Sequence, residues 1–505
     1  MGIPSYYKFL CDRNPKIIQK SYTKKGVNSK VVLCLDFNCI VYYCLHRMDP
    51  YDGDVGPYEA KLIEKVCAYV THIYKSSGAN EVYIAVDGVV PMAKMKQQRL
   101  RRFKSVVLEE LEVQQGVRSR DQHVWDRNSI TPGTLFMKKL DRALSELCAR
   151  HRGWTLNGFN GCGEGEHKVM AHIRTLGDVT CLVYGLDADL ILLSMLNSFS
   201  PGKTLYLMRE EMEFNKVVSD EFLYLSINDL KNSYFENPTQ GTVTDYIMMM
   251  SLLGNDFLPH SLSLTIKEGG HTLLFNLLKR FHSEDRYLVI DGKVAWGTLQ
   301  AFIKEFMKDE EYNIHDMCKK KSETHFFRMN KQTASEYDLK MAAVYVRPCK
   351  WFVESALYSY EKGLVEGWRE IYYKQFLNKE KALAEYCKGL QWILDYYLGK
   401  PVEFDWYYPW MYVPLWSDLA TYLEVDPVIS FSYKPWIEPE QQLALVLPVK
   451  SYGLVQNPAY KKFPTLYPQY FPTQFGFHSL GKKWFYECES AIPIFTSKFL
   501  RKILA

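Results

Sequence analysis

With 505 residues, 47% of them apolar and 24% charged, the chain has the composition of an ordinary globular protein and is too long for a single core. Its formal charge of +4 is too small to mark a nucleic-acid binder by net charge, so any such role must lie in a local basic patch. The twelve cysteines include no C-x-x-C pair, and Cys34, Cys39 and Cys44, five apart, match no zinc pattern, which predicts reduced thiols in a cytosolic or nuclear protein.

At the N-terminus, Asp12 and Arg13 stand where a signal peptide needs its apolar stretch. Tyr6 occupies the place where N-myristoylation requires Ser or Thr. No window approaches the ~18 apolar residues of a spanning helix, so no membrane attachment is expected. Three short apolar runs then end in aspartate: Val31 to Leu35 into Asp36, Val82 to Val86 into Asp87, and Cys181 to Leu186 into Asp187. Bounded runs of this length read as buried parallel strands, and in open α/β sheets the ligand crevice lies at the carboxyl ends of the strands. Carboxylates crowded there repel one another unless a cation neutralises them, which predicts a divalent-metal site.

After Asp87, Pro91 opens a helix on which Lys94, Gln98, Arg101 and Arg102 fall at offsets 0, 4, 7 and 8 and so share one face. A point cation, an amide and two forked guanidiniums suit a terminal phosphate better than a long backbone track. Further along, Gly161-Cys162-Gly163-Glu164-Gly165-Glu166-His167-Lys168 precedes a helix-like run. Glu164 and Glu166 can face one cluster only if Glu164 precedes the first turn, and the glycines permit that. Asp189 follows Asp187 by two, and Asp256 lies between Gly254 and Pro259 after a helical run. Each acid taken singly reads as a turn former or N-cap. The set of Asp36, Asp87, Glu164, Glu166, Asp187, Asp189 and Asp256 reads as a metal centre.

Beyond residue 285 the alternation ends. Residues 286–340, with Lys319-Lys320-Lys321 on a solvated face, read as a polar, irregular connecting or peripheral region. From residue 341 the chain turns mainly helical and aromatic-rich: Trp351, Trp368, Trp392, Trp406, Trp410, Trp416, Trp436 and Trp484 are eight of its eleven tryptophans.

The N-terminal Met1 to Leu10 segment, Leu35-Asp36-Phe37-Asn38, Val86-Asp87-Gly88 through Arg102, the Gly-Glu-Gly-Glu-His-Lys stretch, Tyr184 to Leu190, Gly254 to His260, Gly389 to Trp392 with Tyr396-Tyr397, Tyr407 to Pro409 and Phe471 to Thr473 together resemble the XRN family of 5′-to-3′ exoribonucleases. The resemblance implies a PIN/FEN-like α/β fold with a mostly parallel mixed sheet, flanking helices and a C-terminal aromatic-rich region packed on it. It implies a nuclease domain at 1–285, the connecting region at 286–340, and a region at 341–505 that completes the pocket.

By the same resemblance the seven acids are catalytic and bind two Mg²⁺ ions, with Mn²⁺ as a substitute. Lys94, Gln98, Arg101 and Arg102 hold a 5′-monophosphate. Two metals ~3.5 to 4 Å apart deprotonate a water and stabilise the leaving 3′-oxygen. The substrate is single-stranded RNA with a 5′-monophosphate, such as decapped mRNA, with functional coupling to a decapping enzyme. Tyr42 stands where the family suggests a base-stacking histidine, and Trp392 and Trp406 are base-stacking candidates because aromatic faces grip unstacked bases. The chain stops just past the last similar segment and lacks a zinc-knuckle spacing, which implies a minimal catalytic-core form of the cytoplasmic type, compatible with a viral source, and a monomer. The competing readings are a flap-type structure-specific nuclease and an RNA-binding scaffold that has lost its chemistry, although all seven acids are present.

Overall fold

In a computed structural model, described over residues 6–23, 30–185, 187–213, 216–323, 335–346, 357–359, 361–482 and 484–504, the aspartate-tipped runs form the middle of a seven-stranded sheet. Its strands are β1 (Ile18–Gln19), β2 (Lys30–Asp36), β3 (Glu81–Ala85), β4 (Trp154–Asn157), β5 (Val179–Tyr184), β6 (Lys203–Glu213) and β7 (Lys216–Ser226), in the order β1-β7-β6-β5-β2-β3-β4. Strands β2 to β6 run parallel, and β7 and β1 add an antiparallel edge. The expected mixed, mostly parallel sheet is therefore present.

From β2 the chain builds outward through β3 and β4, then returns to the other side of β2 with β5. The carboxyl ends of β2 and β5 thus flank the point where strand order reverses, the place where an open α/β sheet leaves a crevice. In register, Leu35 pairs with Ile84 on one side and Tyr184 on the other, so the residues that follow these strands emerge side by side.

Side chains alternate between two cores, as the strand period requires. Val31, Leu33 and Leu35 of β2 enter one core with Leu182 and Tyr184 of β5. Helices α2 (Asn38–Leu45), α3 (Val55–Ser77) and α5 (Leu135–Ala149) cover it. Val32 and Cys34 point the other way, with Cys181 and Val183. That face is covered by α1 (Tyr6–Arg13), α6 (Gly165–Thr175), α7 (Asp189–Asn197), α8 (Ile227–Tyr234), α9 (Gln240–Ser251), α10 (Gly270–Ser283) and α11 (Trp296–Phe306), and by the helix Lys379–Tyr397. By alternation Asp36 belongs to this second face, so the late helix and the first acid meet there.

The helix α4 (Met92–Gln114) joins the sheet to the C-terminal segment. Met92, Met95, Leu100 and Phe103 share a core with residues 443–447, Phe463, Phe471 and Phe495. Its cations divide between two surroundings. Lys96 donates to the carbonyls of Tyr408 (2.6 Å) and Trp410 (3.1 Å), and Lys104 to that of Cys488 (2.6 Å). The fully buried Arg99 donates to the carbonyls of Leu445 (2.6 Å), Pro493 (3.3 Å) and Tyr470. Each such carbonyl would cost ~1 to 3 kcal/mol if left unpaired, which fixes α4 against the later segment.

Residues 286–323 differ from the sequence expectation of an irregular stretch over 286–340. Leu299, Phe302, Ile303 and Phe306 of α11 recur at offsets 0, 3, 4 and 7 and are buried, an amphipathic helix hidden among polar neighbours. The next helix, Glu310–Glu323, brings the buried Glu310 to the backbone N–H groups of Trp416 (2.5 Å) and Ser417 (3.1 Å). Lys320 lies on an exposed face, paired with Asp316 (2.7 Å) and Glu268 (3.3 Å). Among the described residues no helix is long and apolar enough to cross a membrane.

Candidate active site

The acids converge at the carboxyl edge of β2, β3 and β5. Asp36 is the last residue of β2. Asp87 follows β3 and is fixed from two sides: its carboxylate accepts from the N–H of Gly165 (2.7 Å) and from the amide of Asn38 (2.9 Å) at the start of α2. As expected, Glu164 precedes the first helical turn, standing as N-cap of α6 with Glu166 one residue inside it. Asp189 opens α7. Both first-turn positions favour a negative charge through the helix dipole.

Close approach explains two glycines. Gly163 has φ +98°, a left-handed conformation that bends the loop into α6. A Cβ on Gly165 would lie 2.5 Å from Asp36 Oδ1 and 2.7 Å from the Ala85 carbonyl, so only glycine lets α6 reach the strand ends. Asp256 projects from a tight turn in which the Asn255 side-chain oxygen accepts from the N–H groups of Phe257 and Leu258, both at 2.9 Å.

Burial and mutual repulsion dominate the electrostatics. Burial first, then Asp87, Asp187 and Glu164, holds Asp36 well above the ordinary carboxylate range. Burial, then Glu164 and Asp189, does the same for Glu166. Asp189 is pushed up to about 7 by burial and by Asp256. Asp87 is raised by burial and Glu164 against the opposing Gly165 N–H. In the described residues a single ammonium group bridges the cluster: Lys94 Nζ lies 2.6 Å from Glu164 Oε2 and 2.8 Å from Asp256 Oδ2. For Asp256 burial is outweighed by Lys94, and its carboxyl lies below the ordinary range. Lys94 itself, despite burial, is held well above the usual lysine range by Asp256 and Glu164.

The cluster therefore needs positive charge to ionise, and its predominantly carboxylate donors suit a hard divalent cation. Glu164, Glu166 and His167 bring ligand atoms within 4.8 Å of one another. The His167 imidazole is lowered to about 4 by burial and so is neutral at ordinary pH. Asp187 is exposed but close enough to act on Asp36.

The basic face of α4 is divided. Lys94 lies on the carboxylates, because crowded acids draw the nearest ammonium. One turn and two turns later, Gln98 and Arg102 are buried, and among the described residues Gln98 Oε1 and Arg102 Nη1 have no hydrogen-bond partner. Burial, reinforced by neighbouring Arg101, lowers the Arg102 guanidinium to about 10. Arg101 also acts on Asp256, and the Tyr42 phenol on Arg102, so this face adjoins both the acids and Tyr42.

Trp392 and Trp406 are placed differently from the base-stacking expectation. Trp392 is wholly buried and Trp406 is 4% exposed. Trp392 stacks on Tyr396 (5.0 Å, 20°) and packs edge-on with Phe257 (5.1 Å), and its indole donates to the Glu403 carbonyl at 3.0 Å. Trp406 donates to Glu385 at 2.8 Å. Neither ring presents a face to a base, because protein covers both. Two tyrosines near Trp392 were given no site role in the sequence reading: Tyr396, on which Trp392 stacks, donates to Glu164 Oε1 (2.7 Å), and Tyr397 to Asp189 Oδ1 (3.1 Å). Lys168 was also missed; it is buried and donates to the carbonyls of Val86 (2.7 Å) and Gly158 (2.9 Å), locking the Asp87 loop to the approach to α6.

Comparison with known proteins shows the family of the chain. Residues 1–211 match the family segment described as XRN 5′-3′ exonuclease N-terminus, and residues 238–351 with 362–486 match the Xrn1 helical domain. The chain is 26% identical to 5′-3′ exoribonuclease 1 of Saccharomyces cerevisiae over 94% of its length and 40% of the relative's. It is 26% identical to 5′-3′ exoribonuclease 1 of Schizosaccharomyces pombe over 100% of its length and 48% of the relative's. With 5′-3′ exoribonuclease 2 of Kluyveromyces lactis it shares 30% over 64% of its length and 40% of the relative's. The chain thus spans less than half of each of these relatives. Matched across both segments, the chain belongs to the XRN 5′-3′ exonuclease family.

Proposed function

We propose that the chain is a divalent-metal-dependent 5′-to-3′ exoribonuclease that takes single-stranded RNA with a 5′-monophosphate and releases nucleoside 5′-monophosphates. The observation that carries this reading is the adjacency of two charge systems. A buried carboxylate cluster is bridged by Lys94 at two of its acids, and the next turns of the same helix bear a buried amide oxygen and guanidinium nitrogen with no hydrogen-bond partner among the described residues.

Asp36, Asp87, Glu164, Glu166, Asp187, Asp189 and Asp256 are the residues to hold two Mg²⁺ ions, or Mn²⁺ in their place. When bound, such ions supply a deprotonated water and neutralise the charge that develops on the scissile phosphate and leaving oxygen. Asn38 and the Gly165 N–H keep Asp87 aimed at the cluster. With the carboxylates held by other cations, Lys94 would be available to the 5′-phosphate together with Gln98, Arg101 and Arg102. Three cations and one amide on a single helix face suit one terminal phosphate better than a cap or triphosphate. Because α4 links this pocket to Asp87 directly, the distance from 5′ end to metals is fixed by the backbone, and cleavage removes one nucleotide at a time. Decapping produces the end this pocket fits, so a decapping enzyme is the expected supplier and the cytoplasm the expected location.

The test is digestion of one RNA sequence carrying a 5′-monophosphate, a 5′-hydroxyl or a 5′-triphosphate, beside a branched DNA. Only the monophosphorylated RNA is expected to disappear. Cutting of the branched DNA in preference supports a flap-type nuclease instead, and binding without hydrolysis supports a scaffold.

A further inference from the structure

The acids of the cluster lie between residues 36 and 256, yet two of them are held by side chains from the far end of the helix Lys379–Tyr397. Glu164 has both oxygens engaged, Oε1 by the Tyr396 hydroxyl at 2.7 Å and Oε2 by Lys94 at 2.6 Å. Asp189 receives the Tyr397 hydroxyl on Oδ1 at 3.1 Å. Neighbouring residues on a helix point ~100° apart, so two adjacent tyrosines reaching two different acids means that the helix end lies across the cluster.

The Tyr396 ring is held from several sides. Trp392 stacks on it, Phe257 meets it edge-on at 5.4 Å and 83°, and the His167 ring lies 3.9 Å away. Phe257 and His167 follow directly after Asp256 and Glu166, so the packing that fixes the tyrosine also fixes the loops that carry those acids. A carboxylate tied at one oxygen by a neutral donor keeps its charge and its other oxygen for a cation, but loses the freedom to turn away. Partners of this kind orient metal ligands, and their removal typically costs ~10- to 100-fold in metal affinity.

We infer that Tyr396 and Tyr397 are positioning residues of the metal centre: through their hydroxyl groups the C-terminal region sets the cation affinity of an acid cluster encoded entirely between residues 36 and 256. This inference rests on the reading of the cluster as a metal site.

The test uses the full chain with Tyr396→Phe, Tyr397→Phe and both together, each of which keeps the ring and its packing. Mn²⁺ binding is measured by isothermal titration without RNA, beside the denaturation midpoint in chelator. Mn²⁺ binding is expected to weaken ~10- to 100-fold in each single variant. The midpoint in chelator should stay within a degree or two of the parent. In hydrolysis, the metal concentration for half-maximal rate should rise by the same factor while the rate at saturating metal stays near that of the parent. Phe variants that bind Mn²⁺ like the parent overturn the inference. So does a loss of affinity matched by a collapse of the chelator midpoint, since that is general loosening. A parent chain that binds no divalent cation overturns the metal reading itself, a result distinct from both.

Discussion

Lys94→Met removes the one ammonium that bridges Glu164 and Asp256, at 2.6 and 2.8 Å, from a site where its side chain is 15% exposed and theirs are 9% and 8%. Removing one member of a buried ion pair costs ~3 to 5 kcal/mol, because the remaining charge is left uncompensated. An unfolding entropy of ~2.1 cal/mol/K per residue over 505 residues gives ~1 kcal/mol per degree, so the midpoint in chelator should fall by ~3 to 5 °C. The carboxylates can recruit another cation instead. A divalent ion at ~100 times its Kd returns ~2.7 kcal/mol, so saturating Mg²⁺ should restore ~3 °C of that loss. The variant should also bind Mg²⁺ more tightly than the parent, since no ammonium has to leave first. Calorimetry in chelator and in Mg²⁺ makes the measurement. A variant as stable as the parent in chelator, or a deficit that Mg²⁺ does not touch, refutes the idea that Lys94 stands in for a metal.

Other outcomes follow from the same geometry. Asp36, Asp87, Glu166 and Asp189 hold protons more readily when folded, so the metal-free protein should lose stability as pH rises from the unfolded carboxylate range (~3.9) toward about 7, the folded value of Asp189. Asp256 works the other way, its contribution being present above ~3.9 and lost as pH falls through its folded value. The net slope should be negative in chelator and flattened by Mg²⁺, as melting across pH would show; a rising slope in chelator counts against the buried-cluster description. Gly165→Ala places a methyl group 2.5 Å from Asp36 Oδ1 and should lower hydrolysis by ~100-fold, the scale of an ångström-sized misplacement, while the fold is kept. A near-normal rate would show that α6 can shift without consequence. Arg99→Met leaves the Leu445, Pro493 and Tyr470 carbonyls without their donor and should destabilise by several kcal/mol at ~1 to 3 each, read by urea unfolding. Asp187→Ala with Asp189→Ala should abolish hydrolysis and leave RNA binding measurable by fluorescence anisotropy; unchanged hydrolysis removes these acids from the centre.

The acids were legible because each sits at a punctuation point: Asp36, Asp87 and Asp187 after apolar runs, Glu164 among glycines, Asp256 between Gly254 and Pro259. Parallel-strand logic then brings them to one edge without knowledge of the loops. The pairing of Lys94 with Glu164 and Asp256 was not legible, since helical spacing shows which residues share a face but not what the face meets. Tyr396 and Tyr397 are two of 36 tyrosines, and only the path of the late helix gives them partners. Trp392 and Trp406 were base-stacking candidates by resemblance, whereas both are buried, Trp392 stacked on Tyr396 and Trp406 packed against Trp392. In α11 the 0, 3, 4, 7 spacing of Leu299, Phe302, Ile303 and Phe306 was present in the sequence but masked by the lysines and acids around it.

The central claim is that the acid cluster hydrolyses RNA stepwise from a 5′-monophosphate end. The most direct measurement is a time course on such an RNA labelled at its 3′ end, in Mg²⁺ and in chelator, with every product resolved. In Mg²⁺, nucleoside 5′-monophosphates should accumulate from the first time point as the labelled strand shortens from its 5′ end, and in chelator nothing should change. Internal fragments appearing first, or the same digestion in chelator, would contradict the account.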